Sequence, residues 1–305
     1  MKFAVIGAGA IGGYYGARLI EADHEVHYLA RGRSLAALQE KGIRIQGVSG
    51  DHAAQPHSAT DDPTRIGPVD AVLLAVKTHQ LSGALEALPQ LCGPRTAVLT
   101  MQNGIEAPAI VAELMGRERV VPCIVRIFTY VVEPGLIAHM GGPNSITLME
   151  GNGPRSSRIE ALQEAFTAAG STVHCPENIW VDLWEKAIFV EPVGALGALA
   201  GVPIGTLRTD LRDTLRAAMD EVHQVALASG VPVPGDAVER ALALADGQPA
   251  ESTASLHRDL RDGLPSEMDG QIGGVVRAAR AAEVDTPLHN LMYQVLGVWE
   301  AAATS

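Results

Sequence analysis

Cysteine is scarce in this 305-residue chain. The three present, Cys92, Cys123 and Cys175, lie far apart and form no C-x-x-C. That pattern excludes a disulfide framework and a clustered zinc site, and it fits a reducing compartment. Positive charge is also short. Lysine and arginine number 23 against 35 acids, for a formal net charge of −12. Such a chain repels polyanions, so neither nucleic acid nor an anionic membrane surface is an expected partner. Long apolar runs are missing too. The N-terminal run is about five residues, too short for a secretory signal, and no stretch approaches the roughly 18 residues of a membrane span. A soluble, cytoplasmic protein is expected. The ten histidines fall in no ligand spacing such as H-E-x-x-H, so no metal is expected. The chain has no internal repeat and no low-complexity tract.

What is present is enough apolar material, 47% of residues, for two cores. The chain opens on an apolar strand that runs into Gly7-Ala8-Gly9-Ala10-Ile11-Gly12, and an amphipathic helix follows to about Ala22. Gly7 allows a sharp turn out of the strand. Gly9 lets backbone approach a pyrophosphate, and Gly12 lets helix pack on sheet. The free N–H groups at the helix start favour phosphate. This context, with a second strand at Glu25–Leu29, predicts a dinucleotide on residues 7–12. The acid that usually holds an NAD ribose after the second strand is missing, and Ala30-Arg31-Gly32-Arg33 stands there instead. A guanidinium can bind a 2′-phosphate that a carboxylate would repel. NADP(H) is therefore the expected cofactor, with Arg31 as main contact and Arg33 as a second.

The pattern continues as strand Asp70–Val76, Lys77, helix His79–Leu91, strand Thr96–Thr100, Asn103-Gly104 and helix Ile105–Met115. A helix at Ser34–Lys41 precedes it, and Gly50–Pro68 reads as loop with one strand at most. This alternation predicts an α/β fold with a Rossmann-type, doubly wound sheet. Gly7–Gly12, Arg31, Lys77 and Asn103 each follow a different strand, at the end where such sheets bind ligands. Val120–Glu150 reads as further strands, partly antiparallel, with turns at Pro134-Gly135 and Gly141-Gly142-Pro143. Helix Arg155–Ala169 and strand Ser171–Cys175 close a cofactor domain of residues 1–175. Residues 176–305 read as an all-helical substrate and dimerisation domain, with helices at about 178–200, 210–229, 235–245, 253–262, 267–282 and 287–301. Two such domains predict a ligand cleft.

Within the helical part, Trp180, Leu183, Trp184, Ala187 and Ile188 form one apolar stripe. Lys186 falls off it, above a lane of Val190, Gly194 and Gly197 that leaves room for a ligand. The alternative for Lys186 is a surface pair with Asp182. Pro192 interrupts the helix's hydrogen bonds. Ser266 reads as an N-cap paired with Asp269, with Glu267 in the first turn. His257-Arg258-Asp259-Leu260 matches the start of a kinase catalytic loop, but no asparagine follows at the required spacing.

Taken together, Gly7-x-Gly9-x-x-Gly12, Arg31, Val76-Lys77, Gln102-Asn103-Gly104, Leu183-Trp184-x-Lys186, and Ser255 twelve residues before Glu267 resemble the ketopantoate reductase (2-dehydropantoate 2-reductase) family. The resemblance spans nearly the whole chain. It implies an NADPH-dependent reductase of a small 2-oxo acid, commonly dimeric and serving pantothenate biosynthesis. Lys186 would be the catalytic proton donor. Asn103 would orient it or the cofactor, Lys77 would contact the cofactor, and Glu267 would hold the cofactor or the substrate hydroxyl. Asn103 and Ser255 would bind substrate. The family's substrate asparagines fall at positions that are Val190, Gly194 and Ile204 here. Those departures imply a substrate more apolar than ketopantoate, or one differently oriented, with Val190 and Gly194 lining its place. Glu191 is a new charge there, facing either a cationic substrate group or solvent. The competing reading is a non-catalytic NADP(H)-binding regulatory protein.

Overall fold

The computed structural model describes residues 1–48, 50–151 and 154–303. Thr304 and Ser305, the end of the expected helical domain, lie outside them. The chain divides into two compact units. The first comprises Met1–Val76, Gln80–Gln102 and Ala107–Ile179, and the second comprises Lys77–His79, Asn103–Glu106 and Trp180–Ser305. Two short segments that follow sheet strands thus belong with the helices.

The first unit is built on strand β1 (Lys2–Ile6), helix α1 (Ala10–Glu21), β2 (Glu25–Leu29), α2 (Gly32–Lys41), β3 (Ile43–Gly47), β4 (His52–Ala54), β5 (Ser58–Thr60) and β6 (Val69–Leu74). It continues through α3 (Leu81–Leu85), α4 (Leu88–Leu91), β7 (Cys92–Thr100), α5 (Ala107–Met115), β8 (Val120–Glu133), β9 (Leu136–Leu148), α6 (Ser157–Ala168) and β10 (Thr172–His174). Strands β5, β2, β1, β6, β7 and β8 lie side by side in that order, all parallel. This is the doubly wound arrangement, and it puts the carboxyl ends of β1, β2, β6 and β7 on one rim. Their continuous apolar residues fit it, since Phe3–Val5, Ala71–Leu74 and Ala97–Leu99 are wholly buried. Beyond β8 the sheet turns antiparallel through β9 and continues to β3 and β4. Helix α1 packs into this extension: Tyr14 meets His139 edge to face, with ring centroids 5.0 Å apart, and Tyr15 meets Phe166 at 5.9 Å.

Three local expectations are corrected. The helix expected at His79–Leu91 is a 3-10 turn followed by α3 and α4. Pro89 has no N–H to continue a helix, but it is tolerated in the first turn of a new one. Gly141-Gly142-Pro143 is no turn. It lies inside β9, where pairing with β8 slips and Gly141 and Gly142 take φ of +119° and +89°. The polar stretch 50–68 carries two short strands, β4 and β5, rather than one.

The second unit holds α7 (Ile179–Ala200), α8 (Ile204–Thr209), α9 (Arg212–Ala228), α10 (Ala237–Asp246), α11 (Ser255–Arg261), α12 (Gly274–Ala281) and α13 (Pro287–Ala303), with a π-helical turn at Asp269–Gly273 leading into α12. Helix α7 places Trp184, Ala187, Ile188, Ala195 and Ala198 in a core shared with Leu215, Met219 and Val222 of α9, Ile272 of the π turn and Val275 of α12. The i, i+4, i+7 spacing on α9 makes that stripe. Helix α8, six residues long, goes beyond the sequence reading. Among the described residues no helix is long and apolar enough to cross a membrane.

Candidate functional site

In the first unit, the glycine turn links β1 to α1. Gly7 has φ +102°, and a Cβ there would lie 2.8 Å from the Val76 nitrogen, so both conformation and space require glycine. A Cβ on Gly12 would lie 2.0 Å from the Gly7 carbonyl oxygen and 3.0 Å from the side chains of Val5 and Ala75. Gly12 therefore lets α1 start directly against the sheet. Gly9 differs, since a Cβ there would have no neighbour within 4 Å. Its bare backbone faces open space at the N-terminus of α1, where no side chain caps the helix. Uncapped N–H groups beside open space fit a phosphate group. Arg31 is exposed at the N-cap of α2, just after β2, and Arg33 is exposed beside it.

In the second unit, the lysine of α7 meets the two strand-end segments. Lys186 Nζ donates to Asn103 Oδ1 at 2.7 Å, and Asn103 Nδ2 donates to Glu267 Oε2 at 3.2 Å. The other Glu267 oxygen, Oε1, accepts the Thr78 N–H at 3.2 Å. One amide thus bridges a cation and a carboxylate. Asn103 is held from several sides. Arg277 of α12 grips Glu106 through both carboxylate oxygens, at 2.8 and 2.6 Å. A Cβ on Gly104 would lie 2.4 Å from the Gly270 carbonyl oxygen, so these backbones meet directly. The π turn positions that contact, a common use of such turns near functional sites.

Burial pushes the Glu267 carboxyl above its ordinary range. The Thr78 N–H, the Asn103 amide and the charges of Lys77 and Lys186 oppose that rise. Glu191, the new charge on α7, is 1% exposed. The solvent-facing alternative is therefore corrected: the carboxyl is sealed in the helical core. Burial pushes it up to about 8, with Lys186 opposing and Glu267 reinforcing the shift.

The remaining expected residues fall as follows. Lys77 donates to Asp259 Oδ2 at 2.8 Å and to the Pro265 carbonyl at 3.1 Å. This pair is partly exposed, so exchanging it for a ligand costs about 1 kcal/mol or less. Val190 is half-buried, Ile204 is buried, and Ser255 is exposed at the start of α11. The open lane expected along α7 is corrected at its far end. A Cβ on Gly194 would meet Leu256 and Ala254 at 3.3–3.6 Å, and one on Gly197 would meet His257 at 3.3 Å. These glycines let α11 pack closely, which fills the space expected for a ligand. Ser266 caps the helical stretch that begins at Met268: its hydroxyl accepts the Met268 N–H at 3.1 Å, and its own O–H donates to Glu300. Asp269 bonds Arg277 and Tyr293 instead of reaching back.

The sequence reading missed Thr78 and Asp259. Asp259 stood inside the kinase-like string, but its tie to Lys77 spans 182 residues and has no local signal. Among the described residues no group of three or more His, Cys, Asp or Glu gathers as a metal set.

Family comparison agrees with this geometry. The model of the ketopantoate reductase PanE/ApbA family matches residues 3–153, and that of its C-terminal domain matches residues 178–300. A 2-dehydropantoate 2-reductase of Mesorhizobium japonicum is 31% identical over 314 aligned positions, covering 94% of each chain. Two crystal structures share the fold end to end. The 2-dehydropantoate 2-reductase of Methylococcus capsulatus superposes with a TM-score of 0.91 at 28% identity, covering 100% of this chain and 98% of its own. A PanE/ApbA family ketopantoate reductase of Ralstonia eutropha gives 0.90 at 30% identity, covering 100% of both chains. With both halves matched, the chain belongs to the ketopantoate reductase family of oxidoreductases.

Proposed function

We propose that the protein uses NADPH to reduce a 2-oxo acid to the 2-hydroxy acid. The observation that carries this reading is the chain Lys186–Asn103–Glu267, a part-buried ammonium aimed by an amide that a carboxylate holds in turn. The activity named for the relatives supports the substrate class. Gly7, Ala8, Gly9, Ala10, Ile11 and Gly12 would hold the pyrophosphate, and Arg31 would hold the 2′-phosphate. Exposed Arg31, with no acid beside it in the sequence, supports NADPH over NADH. Lys77 would contact the cofactor on giving up Asp259. The cofactor supplies the hydride.

The chain's own residues supply the rest. Lys186 Nζ would donate a proton to the oxygen that becomes the alcohol and stabilise its developing charge. Asn103 Oδ1 fixes the direction of that ammonium, and Glu267 fixes Asn103. Ser255 would hold the substrate carboxylate. Val190 and Ile204 offer no hydrogen bond where the family has amides, which supports ketopantoate bound differently or a more apolar 2-oxo acid. A cytoplasmic homodimer belongs to the same reading, and light scattering of the purified protein checks the dimer.

The test is NADPH consumption against ketopantoate and a series of aliphatic, aromatic and basic 2-oxo acids. The expected result is turnover of one aliphatic or aromatic member with kcat/KM above ~10⁴ M⁻¹s⁻¹. Tight NADPH binding with no turnover of any member would instead identify a non-catalytic NADP(H)-binding regulator.

A further inference from the structure

Glu191 has no part in the reaction described so far, and its placement is unfavourable. It lies five residues after Lys186 on α7, about 7.5 Å along the axis. It shares its side of the helix with Ala187, Ile188 and Ala195, all core residues. Its exposure is 1%, and Oε2 has no hydrogen-bond partner. The next residue, Pro192, brings no N–H. A buried carboxyl oxygen without a donor destabilises a fold, and an apolar side chain of similar size would pack there at lower cost. Packing therefore gives no reason for a glutamate. The charges that act on it do: Lys186 on its own helix, and Glu267 at the entry to the π turn.

We propose that Glu191 is a positioning residue for the reduction: its carboxyl balances charge for Lys186 and extends to alkaline pH the range over which the lysine keeps its proton. This rests on Lys186 being the proton donor. Lys186 acts on both carboxyls, Glu191 and Glu267, while Lys77 acts on Glu267 alone. Two buried carboxyls that repel each other do not both ionise readily. Glu267 has donors, from Thr78 and Asn103, to support a negative charge. Oε2 of Glu191 has none, so Glu191 keeps its proton at neutral pH. As pH rises, that proton leaves, and the anion formed favours the charged form of Lys186. The lysine then titrates later than it would beside a neutral group. The coupling is reciprocal, so the Lys186 charge must lower the titration midpoint of Glu191 by the same free energy.

Two measurements test this. The first needs no turnover. Infrared spectroscopy follows the protonated-carboxyl band of the full-length protein across pH. A band that disappears near pH 8 in the parent and is missing in Glu191→Gln is assigned to Glu191. In Lys186→Ala the same band should persist to higher pH, by about one unit or more. An unchanged midpoint overturns the coupling. The second is the pH profile of kcat/KM for the parent, Glu191→Gln and Glu191→Leu. In both variants the alkaline limb should move to lower pH, and a limb that stays in place in both overturns the role. If neither variant folds, a band that survives in Glu267→Gln is assigned to Glu191 by exclusion, and its midpoint in Lys186→Ala decides. If no 2-oxo acid is turned over, the proposed reaction fails while the infrared result still judges the coupling.

Discussion

Asn103 faces two ways, its oxygen taking a proton donor from Lys186 and its nitrogen giving one to Glu267. Asn103→Ala should therefore leave NADPH binding within a few-fold while lowering kcat by about 100-fold, the typical cost of losing one preorganised polar contact at a reacting group. Steady-state kinetics with a cofactor titration separates the two. Arg31 belongs to the other half of the reading. Arg31→Ala should weaken NADPH by about tenfold or more and NADH little, since only NADPH carries the charge that the guanidinium would meet. Equal loss for both cofactors would remove the basis for preferring NADPH. At this scale the sequence was informative where a residue follows a strand or interrupts an apolar stripe, as Asn103 and Lys186 do. It was silent where the partner is remote. Nothing near Lys77 announces Asp259, and the burial of Glu191 depends on how α7 meets the π turn.

The element that most rewards a test is the glycine turn, because its glycines do different work. Gly12→Ala sets a methyl against the backbone carbonyl of Gly7, which cannot yield as a side chain can. A cost of about 2–3 kcal/mol is expected, read as a fall of several degrees in Tm. Gly9→Ala meets no protein atom, and Gly9 has φ −79°, which alanine accepts. It should keep the parent Tm and still weaken dinucleotide binding, measured by fluorescence titration. A Gly9→Ala variant with parent affinity would mean that no ligand approaches this backbone. Elements with a strong period were legible: β2 falls at Glu25–Leu29, as the apolar pattern implies, and α1 ends at Glu21, one residue from the expected Ala22. The π turn was not, because one extra residue in a turn leaves a hydrophobic period almost unchanged. Nor was the run of Gly141 and Gly142 inside β9, where the residue types match a turn but pairing with β8 carries the strand through.

For the whole molecule, the alternation of strands and helices implied a doubly wound parallel sheet, and the fold realises it in the order β5-β2-β1-β6-β7-β8. Local pattern does not reveal that Lys77–His79 and Asn103–Glu106 leave the sheet unit to join the helices, since only tertiary packing decides it. That packing has a consequence for stability. Glu191 rises from an ordinary 4.5 to about 8 in the folded chain, and Glu267 is raised as well. The folded state then holds these protons more tightly than the unfolded one. Stability contributed in acid is lost as pH climbs from the ordinary carboxylate range to about 8, and the loss levels off above it. Glu191→Leu lacks this titration, so its Tm advantage over the parent should grow from pH 5 to pH 8. A constant difference would mean that the carboxyl titrates normally.

The most direct test of the central claim is Lys186→Ala, assayed with NADPH and the best 2-oxo acid alongside a cofactor titration. Loss of kcat by 10²-fold or more, with NADPH affinity near that of the parent, is the expected result. A variant that keeps most of its turnover would contradict the assignment of Lys186 as the proton donor.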